Sequence, residues 1–187
     1  GLEVARALGH DVGEISPDWY RTSDILKSRP GATTAERMPD AETGVFPVLH
    51  CNQEIPCDPC TAVCPNDLIE MDKTDIRLLP SFVSEKRGKG CTGCEKCVAI
   101  CPGLAITLVD YRKDAEFPTV AVPFEFLKDT LAAGDHVVVE DTDGNALGRV
   151  EVAAVKAIKA NDRTVIIKVR APRAFAKRIA GIRLQPP

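Results

Sequence analysis

The sequence predicts an α+β protein, with a pseudo-two-fold cysteine-rich domain followed by a small C-terminal β-barrel. Three observations carry that expectation. First, Cys57-x-x-Cys60-x-x-x-Cys64-Pro65 is followed by Cys91-x-x-Cys94-x-x-Cys97-x-x-x-Cys101-Pro102, and Cys51 completes the eight cysteines of the chain. Second, a shift of 37 residues maps Cys57 onto Cys94, Cys60 onto Cys97, Cys64 onto Cys101, Pro65 onto Pro102 and Ile69 onto Ile106. Third, beyond residue 112 the pattern changes to short apolar runs separated by Gly-Asp, Asp-Gly and Asn-Asp, which read as strands and turns.

The elements follow in order. Residues 1–45 open with a short helical pattern, apolar at Leu2, Val4, Ala5 and Leu8 and ending near Gly9. Pro17, Pro30, Gly31, Pro39 and Gly44 then break any periodicity. This extended segment either lies along another surface, anchored by Trp19, Tyr20, Ile25 and Leu26, or covers its own domain as a frayed tail.

Residues 46–112 form the cysteine domain. Phe46 to His50 is a strand leading into Cys51, and Leu68 to Asp72 and Ala105 to Val109 are strands after the two Cys-Pro corners. Thr61 to Val63 and Val98 to Ile100 are short helical turns, and Ser84 to Gly90 is a solvated turn within the link from Lys73. Residues 113–187 form the barrel-like domain. Val120 and Val122 alternate, Pro123 to Leu127 turn the chain, and His136 to Glu140 is a strand opened by Gly134-Asp135. Asp143-Gly144 signals a hairpin. Arg149 to Ile158 and Thr164 to Val169 are further strands joined at Asn161-Asp162, and Ala174 to Ala180 is a closing helix.

Eight thiolates are the ligand count of two cubane iron–sulfur clusters, with none left over. Two rival uses of cysteine are open. Structural zinc also takes four thiolates, but from two C-x-x-C pairs rather than a triplet and a delayed Cys-Pro. A disulfide framework suits a short secreted chain, whereas 187 residues can bury a core without staples and no export signal is visible. Iron–sulfur is the favoured reading. Cys51, six residues before Cys57 where Cys91 is three before Cys94, is the weakest ligand. Without it the first centre would be a three-iron species.

Composition narrows the function. The chain is 44% hydrophobic and 27% charged with a formal net charge of -3, which is ordinary for a soluble globular protein. No run approaches the ~18 apolar residues that span a bilayer. Thiolates that must stay reduced point to the cytoplasm. The chain starts at Gly1 without an initiator Met, as expected of a processed subunit or of a segment with sequence upstream. No G-x-G-x-x-G or G-x-x-x-x-G-K-[ST] motif is present, nor a Ser/His/Asp or Cys/His nucleophile set, so no catalytic residue is expected in this chain.

Weaker features have two readings each. His50, beside Cys51, is expected to face solvent or backbone, the alternative being a proton or hydrogen bond given to the centre. Lys89 and Lys96 are expected to be solvated, the alternative being to favour the reduced cluster. Seven basic residues from Arg163 to Arg183 meet no acid in the sequence. They suit an acidic partner, a solvated face or, less well, nucleic acid.

Residues 46–112 resemble bacterial-type dicluster ferredoxins. In that pattern the fourth Cys of each run, before Pro, reaches the other cluster. The resemblance therefore implies one [4Fe-4S] cluster on Cys51, Cys57, Cys60 and Cys101 and another on Cys91, Cys94, Cys97 and Cys64. The stretches His50 to Cys57 and Cys101 to Tyr111 are also similar to the ferredoxin-bearing part of flavin-linked amine and amino-acid dehydrogenase complexes, the proline, hydroxyproline and sarcosine-oxidising group. That likeness implies an electron-transfer subunit in a hetero-oligomer, with FAD or FMN in flavoprotein partner subunits and none in this chain. A free-standing ferredoxin and a nucleic-acid-binding protein with structural or sensory clusters are the alternatives.

Overall fold

The computed structural model describes residues 42–125, 131–157 and 164–184. The expectations for residues 1–41, for residues 126–127 of the expected turn and for Asn161-Asp162 lie outside these, while Pro123 and Phe124 continue a strand instead of starting that turn. The described residues all belong to one compact unit.

Nine strands and four short helices are present among the described residues. They run β1 (Val45–Leu49), α1 (Pro59–Val63), β2 (Ile69–Glu70), β3 (Ser81–Phe82), α2 (Ser84–Arg87), α3 (Lys96–Ile100), β4 (Ile106–Asp110), β5 (Thr119–Phe124), β6 (His136–Glu140), β7 (Ala146–Ala157), β8 (Val165–Arg170), α4 (Arg173–Ala176) and β9 (Gly181–Arg183). Seven strands form one antiparallel sheet in the order β1-β4-β5-β8-β7-β6-β9, and β2 pairs with β3 apart from it.

The expected α+β architecture, a ferredoxin-type domain followed by a closed barrel, is not what forms. The sheet is open, and it runs through the expected boundary because β4 pairs with β5, setting Leu108 opposite Ala121 and Asp110 opposite Thr119. Only residues 111–118 separate the two strands, a connection short enough to make them antiparallel neighbours. The helices have four or five residues each and serve as corners.

Both faces of the central strands are covered, and strand alternation decides which side chain goes where. Phe46, Val48, Val109, Val120, Val122, Ile167 and Val169 enter one core, completed by Val137 and Val139 of β6 and Val150 and Val152 of β7. Val45, Leu49, Ile106, Leu108, Ala121 and Ile166 enter a second core on the opposite face, together with Cys60, Cys97 and Val98. The sheet is a wall shared between the cysteine side and the C-terminal strands.

Prolines and a bulge fit this plan. Pro47 lies on the edge strand β1, where a missing N–H is tolerated. Pro123 lies beyond the last β4–β5 pair, at a point where β5 is paired only with β8. The twelve-residue β7 pairs with β6 over residues 146–151 and with β8 over residues 151–157, and its register with β8 shifts between Val152 and Ala154. The Asp143-Gly144 hairpin forms as expected, with Gly144 at φ +79° and its N–H donating to the Asp141 carbonyl at 3.1 Å. β3, α2 and β9 are elements the sequence did not announce. No helix among the described residues is long and apolar enough to cross a membrane.

Ile166 and Ile167 are neighbours on β8 and are buried at 0% and 1% exposure on opposite faces. Ile166→Ala and Ile167→Ala are each expected to cost about 2–5 kcal/mol. Both should shift the same single transition in chemical denaturation. Two transitions, each moved by only one variant, would contradict a shared wall.

Candidate metal centre

The two Cys-Pro corners have the same local build. Helix α1 opens on Pro59, whose fixed φ suits a first helical position, and α3 starts 37 residues later at Lys96. Cys60 and Cys97 are the second residues of their helices and are buried. Cys64 and Cys101 end them in extended conformations, at φ/ψ of -73°/115° and -66°/113°. Three residues on, Asp67 and Leu104 take positive φ values of 53° and 51°, a conformation that side chains adopt at a cost. Each of these turns carries the following amide back over the corner. The Leu68 N–H donates to Cys64 Sγ and the Ala105 N–H to Cys101 Sγ, both at 3.3 Å.

The thiols stand around two clefts. Cys51, Cys57, Cys60 and Cys101 line the first, with Asn52, Ile55, Leu78 and Ile106, and it measures about 890 Å³ with its open mouth. Cys64, Cys91, Cys94 and Cys97 line the second, with Pro47, Phe82 and Leu108, and it is narrower at about 360 Å³. Electrostatics give the same partition. Burial pushes the Cys60 thiol up to about 12, and Cys101, Cys51 and Cys57 add to the effect. Burial likewise pushes Cys97 up to about 12, with Cys91, Cys94 and Cys64 contributing. Cys91 and Cys101 are raised mainly by burial, partly offset by backbone N–H donors at Gly93 for Cys91 and at Ala105 and Gly103 for Cys101. All eight sequence-selected cysteines are thus gathered, Cys51 included, and each cleft takes its fourth thiol from the other run. None is in a disulfide.

Among the described residues no group of three His, Cys, Asp or Glu side chains is arranged to hold a metal ion. A tetrahedral zinc with Zn–S near 2.3 Å needs its sulfurs roughly 3.8 Å apart. A cubane is ligated at its corners and needs them wider. Four thiols around an apolar-walled cleft, with N–H donors on Cys64, Cys91 and Cys101 Sγ, fit such a polynuclear group. The desolvation that raises the thiols makes bare thiolates costly there, so ligation depends on a cationic partner to offset their charge.

Charged side chains concentrate at the second loop. Glu95, between Cys94 and Cys97, is 2% exposed and takes φ +65°. Its carboxylate accepts from Lys156 Nζ at 2.7 Å and Lys168 Nζ at 2.5 Å. Burial raises its pKa, but these two ammonium groups more than offset that and hold it below the usual carboxylate value. On the other side Arg112 makes a two-pronged pair with Asp110, Nε to Oδ1 at 2.8 Å and Nη2 to Oδ2 at 2.6 Å. Its guanidinium also lies against Gly93.

Several expectations change. His50 does not face solvent. It is 7% exposed, and its Nε2 is 2.9 Å from Thr107 Oγ1. Because Thr107 gives its one hydroxyl proton to the Ile179 carbonyl at 3.3 Å, it accepts from His50 Nε2–H. Lys89 and Lys96 are exposed, as expected. The basic end is largely neutralised in the fold: Lys168 meets Glu95, Arg173 and Lys177 meet Glu42, Arg178 meets Asp141 and Arg183 meets Glu140. Glu95, Arg112, Lys156 and Lys168 are charged residues of the site that motif reading missed. Glu95 does sit inside the C-x-x-C run, but its partners are 61 and 73 positions away and carry no local signal.

Comparison with family models, with characterised proteins and with solved structures finds no match to this chain. The functional reading therefore rests on the residues and their arrangement.

Gly93 tests the tightness of the second loop. At φ +76°, a Cβ there would sit 2.9 Å from Arg112 Nη2. Gly93→Ala is expected to cost about 1–3 kcal/mol in chemical denaturation. Gly90→Ala, with nothing within 4 Å of its Cβ position, should cost clearly less. Equal costs would remove the constraint.

Proposed function

We propose that this chain is an iron–sulfur electron-transfer subunit holding two [4Fe-4S] clusters and working beside a flavin-dependent amine or amino-acid dehydrogenase. The observation that carries the reading is the crossed grouping of thiols, Cys101 with Cys51, Cys57 and Cys60, and Cys64 with Cys91, Cys94 and Cys97. Such clusters supply one-electron chemistry, whereas a flavin can take two electrons at once.

The chain's own residues supply the rest. The eight cysteines would bind, four to a cleft. The amides of Leu68, Gly93 and Ala105 stabilise negative charge on ligand sulfur. Pro47, Leu108 and Phe82 wall the second cleft and Ile106 the first, giving the sulfurs an apolar side. The flavoprotein partner, with its FAD or FMN, comes from the resemblance of His50 to Cys57 and Cys101 to Tyr111, and the cytoplasm from the need for reduced thiols. The nucleic-acid alternative loses its support, since the basic end is largely paired with acids of the same chain.

Anaerobic reconstitution with ferrous iron and sulfide tests the reading. The expected product carries about eight irons per chain and gives paramagnetic signals on reduction. Cys57→Ser and Cys101→Ser should abolish or alter one and the same signal, and Cys64→Ser and Cys94→Ser the other. Zinc as the only metal taken up, or iron without a reducible signal, would overturn the proposal. Purification of the native complex decides between subunit and free carrier: a flavin-containing assembly is expected, and a lone chain that exchanges electrons with several enzymes would favour the free ferredoxin.

A further inference from the structure

Glu95 is an unusual residue for its position. It sits inside a ligand loop, in the left-handed region, where a side chain raises the conformational cost. It is the N-cap of α3, yet its carboxylate makes no capping hydrogen bond. A carboxylate at 2% exposure is expensive to keep unless paired. Its two partners come from β7 and β8, in the C-terminal part of the sheet. Lys168 is opposite Ala154 in the β7–β8 register and Lys156 is two positions along, so both lysines stand on the same face of the sheet. That face also carries Ile166, which packs in the cysteine-side core.

We propose that Glu95, gripped by Lys156 and Lys168, is a positioning residue that fixes the second cysteine loop to strands β7 and β8, making the C-terminal strands part of the second metal centre. The grip supplies what local sequence does not. The first loop has three extra residues between Cys51 and Cys57 and a wide cleft, whereas the second holds Cys94 and Cys97 on either side of a carboxylate tied down at two points. Arg112 lies against Gly93, two residues from Glu95. The inference concerns the centre of Cys64, Cys91, Cys94 and Cys97 only, and it builds on the reading given under Proposed function.

The test compares Glu95→Gln, Lys168→Met and Lys168→Arg in the full chain reconstituted with iron and sulfide. Glu95→Gln and Lys168→Met should lose or shift the reduced-state signal and midpoint potential of the centre that Cys94→Ser removes. The signal that Cys57→Ser removes should stay unchanged, and Lys168→Arg should restore the parent behaviour. A purely structural pair would lower thermal stability with both signals intact, and that result would overturn the proposal. If the parent chain binds no iron, the cluster reading fails and the grip is still decided in the metal-free protein. There, Glu95→Gln should speed hydrogen exchange of the amides of residues 91–97 by about tenfold or more. Unchanged exchange would overturn the grip itself.

Discussion

The structure depends on a sheet that must be covered on both faces. β1, β4, β5 and β8 carry apolar side chains at consecutive positions, so strand alternation delivers hydrocarbon to both sides. Phe46, Val109 and Ile167 demand one core, and Leu49, Leu108 and Ile166 another. The C-terminal strands meet the first demand. The cysteine loops meet the second, and this places Cys60 and Cys97, buried in their short helices, against the wall. A one-residue slip of β4 would exchange the two sets and bring Thr107 to the cysteine side in place of Ile106 or Leu108.

Burying thiols creates an electrostatic problem that the same wall intensifies. Desolvation is the leading cause of the upward shifts at Cys60, Cys91, Cys97 and Cys101. Backbone donors act against it, at Gly93 for Cys91 and at Ala105 and Gly103 for Cys101, and the amides of Leu68 on Cys64 and of Ala105 on Cys101 each follow a positive-φ residue, Asp67 and Leu104. The strain at those corners is thus tied to sulfur chemistry rather than to chain reversal alone. Its recurrence after 37 residues, in a polar residue and in a leucine, argues that the backbone turn matters more there than the side chain.

What the sequence disclosed was local. The spacing of the cysteines, the internal repeat and the Asp143-Gly144 turn involve neighbours in the chain, and their geometry follows from short-range constraint. What it concealed was pairing at a distance. The pairing of β4 with β5 carries the sheet across residue 112, and a strand edge holds no mark in its sequence saying what will dock on it. Apolar runs such as Val45 to Leu49 do not reveal that both faces are covered by different partners. The basic end looked uncompensated because Glu42, Glu95, Glu140 and Asp141 lie far away in sequence. His50 was expected to face solvent or backbone because its side-chain acceptor, Thr107, is 57 positions on.

Duplication copied the ligands but not their surroundings. The first cleft is wide, and its mouth is edged by Ile55 and Leu78, which are 53% and 40% exposed. The second is narrow and is flanked by Glu95, Lys156, Lys168, Asp110 and Arg112. Potential in iron–sulfur sites follows net charge, hydrogen bonds to sulfur and exposure. Net charge and exposure differ here, whereas both quartets receive backbone N–H bonds, at Cys64 and Cys91 in the second and from Ala105 and Gly103 at Cys101 in the first. Two sets of four thiols in such unlike settings are therefore chemically inequivalent. In the proposed electron-transfer reading, that inequivalence gives the pair a direction, because an electron shared between unequal sites rests on one of them. Part of that asymmetry, the pair of lysines on Glu95, comes from the C-terminal strands, which is a physical reason for a cysteine-rich segment to share its sheet with them.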